Sequence, residues 1–288
     1  MRIVITGAEG QLGTDLRHVL QGHHLTALDL PAFDLTDPNC TRAIVKAAPE
    51  VVIHAGAYTD VDGAERNPGL AMAVNAEGTE RVAAGAAAVG ARLVYISTDY
   101  VFDGLGTRPY IETDQTNPLN VYAESKRAGE LRALAGCQNA LVIRTAWLFG
   151  HYGRNFVKTV LQLASERPCL KVVADQRGCP TFSEDLAVII ANVVALPVQG
   201  ILHVTNEGDC TWHTFASEIV RLAGRQTPVE PITTADMPRP AKRPAYSVLS
   251  SSLLHELGFR MPAWQDGLER FVKAPPRAGQ NRVPSFAS

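Results

Sequence analysis

Seven residues, Gly7-Ala8-Glu9-Gly10-Gln11-Leu12-Gly13, restrict this chain more than any others. They follow directly on a β-branched run, Arg2-Ile3-Val4-Ile5-Thr6, and lead into a segment with helical apolar spacing over 11–20. The spacing G-x-x-G-x-x-G removes a side chain wherever one would block a tight turn, the approach of a pyrophosphate, or close helix–strand packing. Peptide N–H groups at the helix start then face an anion. In this strand–loop–helix setting the motif predicts a dinucleotide site built from Gly7, Gly10, Gln11, Leu12 and Gly13.

The same alternation continues. Strand-like runs over 25–29, 51–54, 92–97 and 140–144 alternate with helical spacing over 38–48, 68–88 and 121–135. Continuous apolar runs such as Val51-Val52-Ile53 suit strands covered on both faces. The expected fold is therefore α/β, a Rossmann-type doubly wound parallel sheet with a smaller, mixed C-terminal substrate domain. Beyond Trp147, glycine and proline punctuate the chain at Gly150, Gly153, Pro168, Gly178, Pro180 and Pro197. Helices are expected there over 155–167, 183–196 and 211–223, with a strand over 201–205 returning to the first sheet. The expected division is a dinucleotide-binding part over 1–150, rejoined by about 181–206, and a mainly substrate-binding part over 151–274. Residues 275–288, poor in apolar side chains, are expected to form a flexible tail.

Charge and composition exclude other classes. With 27 Lys+Arg against 29 Asp+Glu the net charge is −2, and no basic cluster offers a face for a nucleic acid polymer or an anionic membrane. No apolar stretch approaches the roughly 18 residues of a membrane span. The first residues enter a strand without a secretory signal's pattern. Five cysteines, odd in number and without a Cys-x-x-Cys pair, suit a reducing, cytoplasmic setting.

Two further groups carry chemistry. Asp29, ending the second strand-like run, can accept hydrogen bonds from a ribose 2′-hydroxyl and would repel a 2′-phosphate, which favours NADH over NADPH; the alternative is a strand-end cap. Asp34 and Leu35 lie where they could meet the adenine. Tyr122 and Lys126, four apart on an expected helix, share a face, and Ser97-Thr98-Asp99 closes a strand at the edge where open parallel sheets bind ligands. An ammonium beside a phenol lowers its pKa, and a threonine hydroxyl can hold a carbonyl oxygen against the phenol. Thr98, Tyr122 and Lys126 thus form a candidate proton-transfer site beside a hydride carrier, NADH or NADPH.

These motifs resemble the extended short-chain dehydrogenase/reductases. Within them, Ala57-Tyr58-Thr59 with Val61-Asp62 and Ala64-Glu65, Ser97 through Gly104, Pro118 through Tyr122, Arg144-Thr145-Ala146-Trp147 and Asp175 through Thr181 are similar to the dTDP-4-dehydrorhamnose reductase family over about residues 2–272. The resemblance implies reduction of the C4 ketone of dTDP-4-dehydro-6-deoxy-L-mannose to dTDP-L-rhamnose. It implies Tyr122 as proton donor, Lys126 as its activator and ribose anchor, and Thr98 as holder of the C4 oxygen. Ala57, Tyr58 and Thr59 would join the dinucleotide contacts, while Asp99 and Trp147 would meet the sugar nucleotide. Arg243 is a candidate cation near the diphosphate. The resemblance also admits a homodimer and Mg²⁺ at a dimer contact, with Asp15 and Glu184 as its candidate ligands.

The alternatives are reduction of another dTDP-4-ketosugar, a non-catalytic regulatory subunit of the same fold, and a dehydratase or epimerase. Tyr100 stands where dehydratases carry the Glu that assists elimination. Two departures from the family pattern are His54-Ala55-Gly56-Ala57 in place of Asn-Ala-Ala-Ala, and Asp60 in place of a small residue, with an expected effect near the substrate.

Overall fold

The computed structural model describes residues 1–274. The first half forms β1 (Arg2–Thr6), α1 (Gln11–Val19), β2 (His24–Leu28), α2 (Cys40–Ala47), β3 (Val51–His54) and α3 (Val61–Arg66). There follow α4 (Pro68–Met72), α5 (Gly78–Ala88), β4 (Arg92–Thr98), α6 (Val121–Gly136) and β5 (Ala140–Thr145). The second half contributes β6 (Leu148–Phe149), α7 (Phe156–Glu166), β7 (Leu170–Val173), β8 (Arg177–Gly178), β9 (Thr181–Phe182) and α8 (Ser183–Val193). It ends with β10 (Gly200–His203), β11 (Cys210–Thr211), α9 (Trp212–Leu222), β12 (Val229–Ile232), α10 (Ser252–Glu256) and α11 (Trp264–Lys273).

Six strands form one parallel sheet in the order β10-β5-β4-β3-β1-β2. Alternation along each strand divides its side chains between two helical layers. Ile3, Ile5, Val51, Ile53, Leu141 and Ile143 pack against α1 and α8, while Val4, Val52 and Val142 face α2, α5 and α6. This explains why β3 and β5 are buried along their whole length. The expected return strand pairs with β5 as β10, and α8 packs on α1. A third core, with Phe149, Phe182, Phe215, Trp264 and Phe271, holds much of the second half together. The expected tail, 275–288, lies outside the described residues.

One expected helix is not regular. The segment over 68–88 is α4 and α5 joined by a π-helical turn, Ala73–Glu77. The turn contains Asn75, which is 1% exposed, and wide turns of this kind let an inward polar side chain reach partners that a regular ladder would not.

Candidate active site

The chain order around β1 reverses between β2 and β3, and the carboxyl ends of β1 and β3 open a crevice. Two glycines shape it. Gly7 has φ +68° and lies so close to Gly56 that a Cβ would stand 2.5 Å from the Gly56 nitrogen. A Cβ on Gly13 would stand 2.0 Å from the Gly7 oxygen, so α1 can rest on the strand end only with glycine there. Gly10 caps α1 without a side chain, and Gly10, Gln11 and Leu12 line a cavity of about 990 Å³.

The cavity wall continues through Asp29, Asp34, Leu35, Ala57 and Thr59. Asp29 is more committed than expected. Its Oδ2 accepts the Glu9 N–H at 2.7 Å and its Oδ1 the Leu30 N–H at 2.8 Å, tying the glycine loop to the end of β2. Asp34 Oδ1 accepts the N–H and hydroxyl of Thr36, each at 2.8 Å. Tyr58 departs from expectation, because its side chain is not part of the cavity wall. Its peptide N–H and C=O are gripped by Asn75 at 2.8 and 3.0 Å, and its phenol packs at Gly63.

The same cavity reaches the end of β4, where Thr98 and Asp99 meet Tyr122 and Lys126 of α6. The helix start is fixed twice. Asn120 accepts the Ala123 N–H at 2.8 Å, and Glu65 accepts the Val121 N–H at 2.9 Å. Tyr122 is hydrogen-bonded to Thr98, whose hydroxyl donates to Asp99 Oδ1 at 3.1 Å and accepts the Tyr100 N–H at 3.2 Å.

The expected lowering of the Tyr122 pKa by Lys126 is not found. Desolvation in the cavity pushes the Tyr122 phenol up to about 12, against the pull of its hydrogen bond with Thr98, and the Asp99 charge adds to the rise. The Lys126 ammonium instead donates to the Ile96 carbonyl at 2.6 Å and lies 4.2 Å over the Tyr95 ring. Burial draws it down to about 7, opposed by Glu130. Tyr122 therefore keeps its proton at neutral pH, the form a donor needs.

Trp147 also lines the cavity, at φ +46°. Its indole stacks on Trp212 with ring centroids 3.5 Å apart and packs at Gly178, where a Cβ would come within 2.5 Å of it. Packing on both sides holds a backbone conformation that a bulky residue seldom adopts.

The comparisons fit this geometry. A family model described as the RmlD substrate binding domain matches residues 1–275. A dTDP-4-dehydrorhamnose reductase from Streptomyces griseus is 42% identical, covering 97% of this chain and 96% of its own. One from Mycobacterium tuberculosis is 41% identical, covering 99% and 97%. A crystal structure of dTDP-4-dehydrorhamnose reductase from Bacillus anthracis in complex with NADP has a TM-score of 0.91 at 41% identity, covering 94% of this chain and 98% of that one. The chain belongs to the dTDP-4-dehydrorhamnose reductase family. It is therefore an oxidoreductase.

In this member of the dTDP-4-dehydrorhamnose reductase family, Asp15, Glu184, Arg243 and Asp60 each have close partners within the chain. Asp15 and Glu184 are engaged by neighbours within the chain. The Asp15 carboxylate accepts the Ser183 hydroxyl between α1 and α8, Glu184 Oε1 lies 3.8 Å from His151 Nε2, and among the described residues no group of three His, Cys, Asp or Glu could hold a metal. Arg243 is held in place by Asp62. Its guanidinium forks onto Asp62 at 2.6 and 2.9 Å. Asp60 does not line the cavity but caps α3, accepting the Gly63 N–H at 2.8 Å.

Sequence reasoning missed Asn75 and Ser247. Asn75 joins the 57–59 loop to α6 by donating to Ser125 Oγ at 2.9 Å, and a lone Asn in an Ala-rich helical run was its only signal. Ser247 donates to Asp99 Oδ2 at 2.5 Å.

Asp99, 2% exposed, gives a pH prediction. Burial pushes its carboxyl up to about 7, against the hydrogen bonds from Ser247 and Thr98. The folded value lies above the unfolded one, so its stability contribution is full below pH ~4 and is lost as pH rises through about 7, by up to ~1.4 kcal/mol per pH unit. Urea unfolding at pH 5 and pH 8 should therefore show a smaller decline for Asp99→Asn than for the parent protein. Equal declines would contradict the assignment.

Proposed function

We propose that the protein reduces the C4 ketone of dTDP-4-dehydro-6-deoxy-L-mannose to dTDP-L-rhamnose with NADH or NADPH, and that Tyr122 is the proton donor. The observation that carries this reading is one cavity in which the glycine loop, the Thr98–Tyr122 hydroxyl pair and Lys126 meet. The side-chain-free cradle at Gly7, Gly10 and Gly13 fits a dinucleotide, with Gln11, Leu12, Asp29, Asp34, Leu35, Ala57 and Thr59 around it and Tyr58 acting through its backbone neighbours. A reduced nicotinamide bound there supplies a hydride to the sugar C4.

Thr98 gives its single proton to Asp99, so its oxygen faces Tyr122 as an acceptor. A ketone oxygen arriving at this point takes over the phenol hydrogen bond and receives the Tyr122 proton as hydride reaches the carbon. Lys126 anchors the ribose and supports the phenolate left behind. The two Asp29 carboxylate oxygens already accept peptide N–H groups, which spreads its charge and leaves room for either nicotinamide.

A second cavity of about 750 Å³ shares Phe156, Trp212 and Arg243 with the first, and carries Arg167, Lys171, Arg239 and Lys242 beside Val160 and Leu163. A chamber with cations and an apolar wall suits a deoxythymidine diphosphate, with the ketosugar reaching past Trp147 and Asp99 toward Thr98. This arrangement supports residues 151–274 as mainly substrate-binding and 1–150, with β10 and α8, as dinucleotide-binding. Five free cysteines agree with a cytoplasmic setting. Among the described residues no helix is long and apolar enough to cross a membrane.

The test supplies the 4-keto-L-sugar nucleotide with NADH or NADPH, follows loss of reduced-nicotinamide absorbance and identifies the product. Both nicotinamides should be oxidised with dTDP-L-rhamnose formed. Oxidation with a different product would redirect the substrate, and no oxidation with any ketosugar would favour the regulatory reading.

A further inference from the structure

Asp62, in the first turn of α3, receives more hydrogen bonds from the far end of the chain than any local role requires. Arg243 Nη1 and Nη2 donate to its Oδ1 and Oδ2 at 2.6 and 2.9 Å, the Ala241 N–H donates to Oδ1 at 3.2 Å, and Arg239 Nη1 donates to Oδ2 at 3.4 Å. Both side chains of the Asp62–Arg243 pair are 17% exposed, and 181 positions separate them in the chain. Arg243 Nη1 also donates to the Ala241 carbonyl at 2.7 Å. Three of the five guanidinium N–H groups are thus spent on holding the side chain. Arg243 lines both cavities, together with Phe156 and Trp212. A hydrogen bond also links Arg243 to the Tyr100 phenol, and the Tyr100 ring stands edge-on to Tyr122 with centroids 6.2 Å apart.

We propose that Asp62 is a positioning residue for the nucleotide sugar: it fixes the Arg243 fork that lines both cavities, and through Arg243 and Tyr100 it fixes the wall beside Tyr122. This rests on the nucleotide-sugar reading above. A bidentate carboxylate sets the plane of a guanidinium as well as its place, which a single contact would not do. The neighbouring Glu65, on the same short helix, caps α6 just before Tyr122, so α3 grips both walls of the substrate path. Asp62 is held at about 2, chiefly by its hydrogen bond with Arg243, and stays ionised throughout the working range.

The sign of the effect separates positioning from simple charge. Removing a carboxylate near a diphosphate site should, on Coulomb grounds alone, strengthen anion binding. Positioning predicts the reverse. Calorimetry with dTDP and steady-state kinetics are compared for the parent protein, Asp62→Asn, Arg243→Ala and the double variant, with NADPH affinity measured on each. Asp62→Asn should weaken dTDP binding and lower kcat/KM for the sugar nucleotide by about tenfold or more, with NADPH affinity within about twofold. The double variant should be no worse than the weaker single one, because Asp62 acts through Arg243.

Unchanged or tighter dTDP binding by Asp62→Asn, multiplied losses in the double variant, or an equal loss of NADPH affinity would each overturn the proposal. A parent protein that does not bind dTDP would overturn the nucleotide-sugar reading and this proposal with it. Parent binding with Asp62→Asn unmoved would overturn this proposal alone.

Discussion

Tyr122→Phe is expected to lower kcat by about 10²–10⁴-fold while leaving dinucleotide affinity unchanged. The substitution removes one oxygen and keeps the ring, which packs edge-on to Tyr100. What disappears is the phenol proton set against the substrate oxygen, while Thr98 directs its own to Asp99 and Lys126 donates to the Ile96 carbonyl. If the phenol acts only in the transition state, kcat and kcat/KM should fall together. The stability cost should be about 1 kcal/mol, that of one lost hydrogen bond with Thr98. A turnover within about tenfold of the parent would leave too little for a general acid to have supplied.

Arg144→Met should cost the fold about 3–5 kcal/mol, a large fraction of a domain's stability. Arg144 is 1% exposed and Glu130 is 0% exposed, and they meet through Nε and Nη2 with both bonds at 2.8 Å. Methionine fills much of the volume but leaves Glu130 buried, with the Ser97 hydroxyl at 2.7 Å and the half-buried Arg127 at 3.3 Å as its remaining partners. Replacing both partners, Arg144→Met with Glu130→Leu, should recover most of the loss, because the desolvation cost goes with the charges. Urea unfolding of the parent protein and these two variants measures this. A loss under about 1 kcal/mol for Arg144→Met would mean that the pair is solvated rather than buried. Ser97 precedes Thr98 on β4, so the single variant should also lose activity beyond what unfolding explains.

The parts of this molecule that were legible in the sequence are those fixed by local backbone geometry. Gly7 and Gly13 are dictated by contacts with Gly56 and with Gly7 itself, and such constraints leave glycine as the only solution. Tyr122 and Lys126 share a helix face by spacing alone, and the sheet followed from strands that are apolar on both faces. What was not legible depends on where a side chain spends its hydrogen bonds. The Asp29 carboxylate closes the glycine loop, the Asn75 amide bridges Tyr58 and Ser125, and Arg243 joins Asp62 across almost two-thirds of the chain.

The Tyr122 pKa went opposite to expectation for a related reason. Spacing placed Lys126 on the same face, but the ammonium turned to the Ile96 carbonyl and the Tyr95 ring, and desolvation governs the phenol. The departure at His54 found its explanation inside the sheet. Thr79 gives its hydroxyl proton to the Asn75 carbonyl, so toward His54 Nε2, at 3.1 Å, it accepts; the proton is then on Nε2, and Nδ1 accepts from Thr6 at 2.6 Å. Burial keeps this imidazole neutral, drawn down to about 3, so it braces β1 against the helical layer without carrying charge.

The most direct test of the central claim is to run the reaction with NADPH carrying deuterium on the transferred position of its nicotinamide C4 and to read the sugar by NMR. The predicted result is dTDP-L-rhamnose with deuterium bonded to the sugar C4. Deuterium at another carbon, or a product free of deuterium, would contradict hydride delivery to a C4 ketone held by the Tyr122 phenol, and the C4 epimer as product would contradict dTDP-L-rhamnose as the product.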